Sequence, residues 1–241
     1  MRSWRILIGL SLLMGTFVAV GYGPNALSEQ AASGSRGETS QPSAATLPKD
    51  IYPDSRNRLP LVKREDLDDV GKKVYDAAAG DTRSLAGFQG PEGIRLHSPR
   101  LADHTREVSE YLRFETALGP RLTQLAMLVT AREVDSQFEW TAHEPAGLKA
   151  GLKQEMIDIV KYRKPLTGVG EKEAAIIQLG REAFEKRKVS SDTFARALKL
   201  FGREGLVDLV SLMGHQSQTA VLLTTFDQQL PAGQKPLLPI P

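Results

Sequence analysis

Leu122-Thr-Gln-Leu-Ala-Met-Leu-Val-Thr-Ala-Arg-Glu-Val-Asp-Ser-Gln-Phe-Glu-Trp-Thr-Ala-His143 is the stretch on which the fold turns. In its first half Leu122, Leu125, Ala126, Leu128 and Val129 recur at helical spacing, which gives one apolar stripe. In its second half Glu139 and His143 stand four residues apart. On a helix such positions share a face, one turn from each other. A carboxylate that fixes an imidazole's tautomer and orientation is a recurrent general acid/base arrangement. Pro145 follows His143 by two; it removes a backbone donor and disfavours helical geometry at Glu144. Either the helix kinks there, or one helix ends near His143 and another starts with Pro145 in its first turn.

The helical pattern continues outward from this stretch. Residues 64–79 read as a first helix ended by Gly80. Residues 81–97 carry Gly87, Gly90, Pro91 and Gly93 and read as a long loop, a kind of segment that often serves function. Ser98-Pro99 opens a second helix, with Ser as N-cap and Pro in the first turn, and Gly119-Pro120 ends it. Further helices are predicted over 121–135, 138–150 (closed by Gly151), 153–162, 171–188, 191–201 and 206–226. A tail with Pro231, Pro236, Pro239 and Pro241 is expected to pack on the domain's own surface or on a neighbour. No segment alternates with period two, so the fold class is all-α with about eight helices.

The N-terminus has another character. Arg2 and Arg5 precede an apolar run over 6–20, and Ala26-Leu27-Ser28 supplies small residues at a cleavage site. Residues 1–28 therefore read as a signal peptide cut before Glu29, which predicts a secreted or periplasmic protein with no membrane attachment after cleavage. The alternative is an uncleaved anchor, since 6–22 nearly reaches spanning length. Residues 29–50 have Leu47 as their sole large apolar residue and read as a disordered linker, leaving 51–241 as the folded domain.

Composition narrows the chemistry. With 31 basic and 29 acidic residues the chain carries a net charge of +2, which argues against a nucleic-acid partner. The chain has no cysteine. A disulfide scaffold, a thiolate metal site, a dithiol redox centre and a Cys nucleophile are all excluded. Of the four histidines, His143 has the carboxylate partner one turn away, and His104 looks like part of a solvated helix face. His215 sits in Gly214-His215-Gln216-Ser217-Gln218, a polar cluster that interrupts an apolar helix. Such a cluster either lines a cavity or makes inter-helix hydrogen bonds. His97, at the end of the Gly-rich loop, either enters that cavity or is a plain loop histidine.

The segment 122–143, followed by Ala150-Gly151-Leu152, resembles the carboxymuconolactone decarboxylase family of the alkyl hydroperoxidase D-like superfamily. The resemblance is carried by Ala131-Arg132-Glu133, Phe138-Glu139-Trp140, His143 and Ala150-Gly151-Leu152, with Gly90-Pro91 and His97-Ser98-Pro99-Arg100 upstream. It implies a compact orthogonal helical array and a homo-oligomer, trimer or hexamer. Peroxide-reducing members carry a Cys-x-x-Cys with a His four residues on; here Ser136 and Glu139 hold those positions and Gln124 stands where that branch has a relay Glu. Without a thiolate the peroxidase reaction has no nucleophile. What the resemblance implies instead is a cofactor-free lyase or proton-transfer enzyme acting on a small anionic, lactone-type acid. In that reading His143 is the general acid/base and Glu139 orients it or balances its charge. Arg132, Trp140, His97 and His215 are the expected substrate contacts. The alternative is a non-catalytic oligomer that binds a small ligand or a protein. Glu139 and Arg132 also have plainer readings, as an ion pair and as a cation at a helix C-terminus. Trp140 likewise suits the core. Two ligands are too few for a metal site, and neither metal nor cofactor is expected.

Overall fold

A computed structural model of the chain describes residues 47–82, 84 and 86–240. The predicted signal segment and most of the linker lie outside the described residues. Among the described residues eight α-helices follow one another: α1 (Asp69–Gly80), α2 (Pro91–Arg95), α3 (Pro99–Glu110), α4 (Gly119–Glu133), α5 (Gln137–Lys149), α6 (Gln154–Lys161), α7 (Glu171–Phe184) and α8 (Ser191–Thr225). A 3-10 turn at Arg64–Asp66 precedes α1, and a π turn at Tyr111–Glu115 extends α3. Among the described residues the one β feature is an isolated bridge between Tyr52 and Asn57. The all-α expectation holds.

Helix α4 is the centre. Leu125, Ala126, Leu128, Val129 and Ala131 have no solvent exposure, because α5, α7 and α8 all pack on it. The stripe read from the sequence is wider than a surface helix needs, and burial on several sides is the physical reason. The approach to α7 is tight: a Cβ built on Gly180 would stand 2.3 Å from Val129 Cγ1.

Local signals explain most boundaries. Asp68 caps α1 through Gly71 N at 2.7 Å, and Ser190 caps α8 through Thr193 N at 3.2 Å. Helix α8 joins the two helices predicted over 191–201 and 206–226; they meet at Gly202, whose φ of 69° is a left-handed value that glycine adopts without strain. Pro145 lies inside a helix that continues to Lys149, so α5 does not restart there. Helix α2 is the element missed by periodicity. Its five residues are too few to show a repeat, although Pro91 at its first turn is a usual start.

The proline-rich tail packs on the domain's own helices. Leu238 joins the main core. With its amide oriented so that both ends are satisfied, Gln137 donates to Leu238 O at 2.7 Å and accepts from Leu238 N at 3.0 Å. This ties the tail to the first turn of α5.

With an added Cβ 2.3 Å from Val129 Cγ1, Gly180→Ala is expected to overpack the α4–α7 contact by about 3 kcal/mol, more than the helix-propensity gain of about 1 kcal/mol offsets. Thermal melting should fall by several degrees and recover in part in the double variant with Val129→Ala. An unchanged melting temperature in Gly180→Ala would contradict this contact.

Candidate functional site

Helix α5 puts Glu139, Ala142 and His143 on one face, together with Phe138, and that face borders a cavity of about 100 Å³. His143 Nε2 stands 3.4 Å from Glu139 Oε2. Both residues are buried, at 5% and 4% exposure. The other ring nitrogen, Nδ1, is 3.0 Å from Gln124 Oε1 on α4. With the amide oxygen at Nδ1, that nitrogen carries hydrogen. A second hydrogen on Nε2, facing the carboxylate, makes the ring an imidazolium. A half-turn of the amide presents its NH2 instead, and the neutral ring then keeps its hydrogen on Nε2. Gln124 therefore serves either protonation state of His143. The same site without an acceptor at Nδ1 would favour one tautomer alone.

Another part of the lining holds arginines together with the carboxylates of Asp81, Glu92 and Glu110. Arg95, from α2, is buried; its Nη2 donates to Thr219 Oγ1 on α8 at 2.6 Å and its Nη1 pairs with Glu92 Oε1 at 3.1 Å. Arg113 and Arg106 also border the cavity. His215 projects from α8 into this part, and its pKa falls to about 4. Burial is the main cause, and the positive charges of Arg95 and Arg113 add to it, while Glu139 acts in the opposite sense. Met127 and Phe138 supply apolar wall. Among the described residues no group of three or more His, Asp or Glu side chains is placed to hold a metal ion.

Of the residues singled out in the sequence, Glu139, His143 and His215 meet at this cavity. Arg132, Trp140 and His97 do not border it. Arg132 pairs with Asp135 near the end of α4. Trp140 is fully buried; its Nε1 donates to Glu144, and Lys161 lies 5.6 Å over its ring. His97 is exposed, with Nε2 3.0 Å from Pro60 O. Ser136, at one of the dithiol positions, is the N-cap residue of α5 and is also outside the cavity lining. Arg95, Gln216 and Thr219 were not singled out as site residues by the sequence. Arg95 lies in the Gly-rich segment whose length pointed to function, and Gln216 lies in the polar cluster beside His215.

The chain matches no family model and no curated protein. It does match a solved structure from Agrobacterium tumefaciens, a protein of unknown function named as a candidate AhpD antioxidant defence protein. The two share 17% identity and superpose with a TM-score of 0.52, over 57% of this chain and 95% of the other. The fold is alkyl hydroperoxidase D-like. At that identity the likeness speaks for the alkyl hydroperoxidase D-like architecture alone. The peroxide chemistry in that name needs cysteine thiolates, and this chain has none. Among the described residues no helix is long and apolar enough to cross a membrane.

His215 is predicted to leave a signature in acid. In the unfolded chain it takes up a proton near 6.5, and in the folded chain only near 4. The unfolded state therefore binds more protons between these values, and stability falls as pH drops through that window. His215→Asn should flatten this part of the curve of stability against pH. The check is urea unfolding from pH 7 down to pH 4; an equal slope in the variant would contradict the assignment.

Proposed function

We propose that the cavity is the active site of a cofactor-free lyase or proton-transfer enzyme of the carboxymuconolactone decarboxylase kind, acting on a small anionic organic acid. The observation that carries this reading is the buried Glu139–His143 pair at 3.4 Å, sharing one small cavity with the Arg95 guanidinium. The anion sits toward Arg95, which takes the duty expected of Arg132. Its reacting carbon then lies toward His143.

Decarboxylation breaks the bond between carboxyl carbon and skeleton; CO₂ leaves and the electron pair stays on the skeleton. The apolar wall of Met127 and Phe138 favours the dispersal of charge that precedes this. The imidazolium of His143 donates its Nε2 proton to the carbon, Glu139 stabilises the charged ring beforehand, and solvent returns the proton afterwards. The same pair also supports a proton transfer with no loss of CO₂. In this reading residues 1–28 are an export signal, and the working unit outside the cytoplasm is a homo-oligomer, a trimer or hexamer.

His143→Gln should lower turnover of a lactone acid by about a hundredfold or more, the contribution usual for a placed general acid or base. Arg95→Met should act chiefly on KM, because it removes the anion's partner. Circular dichroism and melting of each variant show that it is folded. Unchanged turnover in His143→Gln would sink the catalytic role. Retained binding with no turnover of any lactone acid by the wild type would favour the non-catalytic ligand-binding reading.

A further inference from the structure

Gln216 lies among the buried residues of α8, with Leu209, Leu212, Met213, Ala220 and Leu223 and with Thr219, to which Arg95 donates. It is 3% exposed, and its Nε2 has no hydrogen-bond partner among the described residues. A buried amide so placed carries a desolvation penalty that leucine or methionine would avoid. Gln216 also borders the cavity that holds Arg95 and His143. Its last torsion is soft, so the amide turns toward that space at small cost. Thr123 Oγ1 is likewise buried without a partner, but Thr123 is outside the lining of the cavity.

We infer that Gln216 is a specificity residue whose carboxamide donates a hydrogen bond to an uncharged carbonyl oxygen of the bound acid, while the acid's carboxylate sits at Arg95. This rests on the reading of the cavity as an anion site. It sharpens the ligand class to an acid that carries a ketone, ester or amide carbonyl as well as its carboxylate. An acid without the second oxygen leaves the buried donor unpaired, and that is the basis of discrimination.

The test uses the whole protein and two probes of equal chain length, levulinate, which has the ketone, and valerate, which lacks it. Calorimetric titration should show wild type binding levulinate about tenfold more tightly than valerate, the effect of one hydrogen bond to an otherwise unsatisfied buried donor. In Gln216→Met the ratio should fall to near one. Ligand-free Gln216→Met should melt at or above the wild-type temperature, since it removes an unsatisfied group at similar volume. Equal affinity of the wild type for both acids, or a preference that survives in the variant, overturns the assignment. So does a markedly lower melting temperature of the variant, which would make the amide structural. If neither acid binds wild type at millimolar concentration, the anion reading falls, and the role of Gln216 with it.

Discussion

Helix α5 is buried along most of its length and yet carries three buried ionisable side chains, Glu139, His143 and Glu144. A buried charge must be paired, so each of these dictates a neighbour. Glu144 takes Lys161 Nζ at 2.9 Å and the indole N–H of Trp140. Glu139 and His143 take each other, with Gln124 behind. Turning α5 about its axis would part Glu144 from Lys161 on α6 and His143 from Gln124 on α4 at once. The rotation that presents the Glu139–His143 pair to the cavity is therefore held by groups on the opposite side of the helix. Removing one member of a buried pair usually costs about 3–5 kcal/mol, far more than the pair itself contributes.

The cavity that results is rich in charge of both signs. The arginines Arg95, Arg106 and Arg113 share its lining with Asp81, Glu92, Glu110 and Glu139 and with two histidines. The two histidines in this space stand in different surroundings. His215, held neutral by burial and by the arginines, donates or accepts a hydrogen bond without charge. His143 instead faces the Glu139 carboxylate, with Gln124 at its other nitrogen.

Much of the fold was legible in the sequence because helices that bury one stripe repeat with a fixed period, and because Gly119-Pro120, Gly151 and Ser190 punctuate them. The five-residue α2 escaped, since a period cannot show in one turn. The site was legible only where its members lie on one helix. Glu139 and His143 are one turn apart in sequence and remain so in space. Arg95 comes from a segment more than forty residues upstream and reaches the cavity because α2 packs on α8, a contact that no local pattern records. Arg132, close in sequence, ends its helix facing Asp135 instead. Trp140 shows the same limit: its position between Glu139 and His143 suggests a pocket wall, but the intervening residue of a helix faces elsewhere.

Gln124 has a consequence for the cost of moving a proton. A side chain with a fixed sense, such as a carboxylate or an ammonium, suits one charge state of its neighbour and resists the other. A carboxamide carries an acceptor and a donor on the same carbon, related by a half-turn about one soft torsion. When His143 gains or gives up its proton, the amide answers by rotating in place, and α4 and α5 need not shift. The reorganisation that accompanies each protonation change is thereby confined to a few atoms inside a close-packed interior, where any larger displacement would have to travel through α4 into every helix that leans on it.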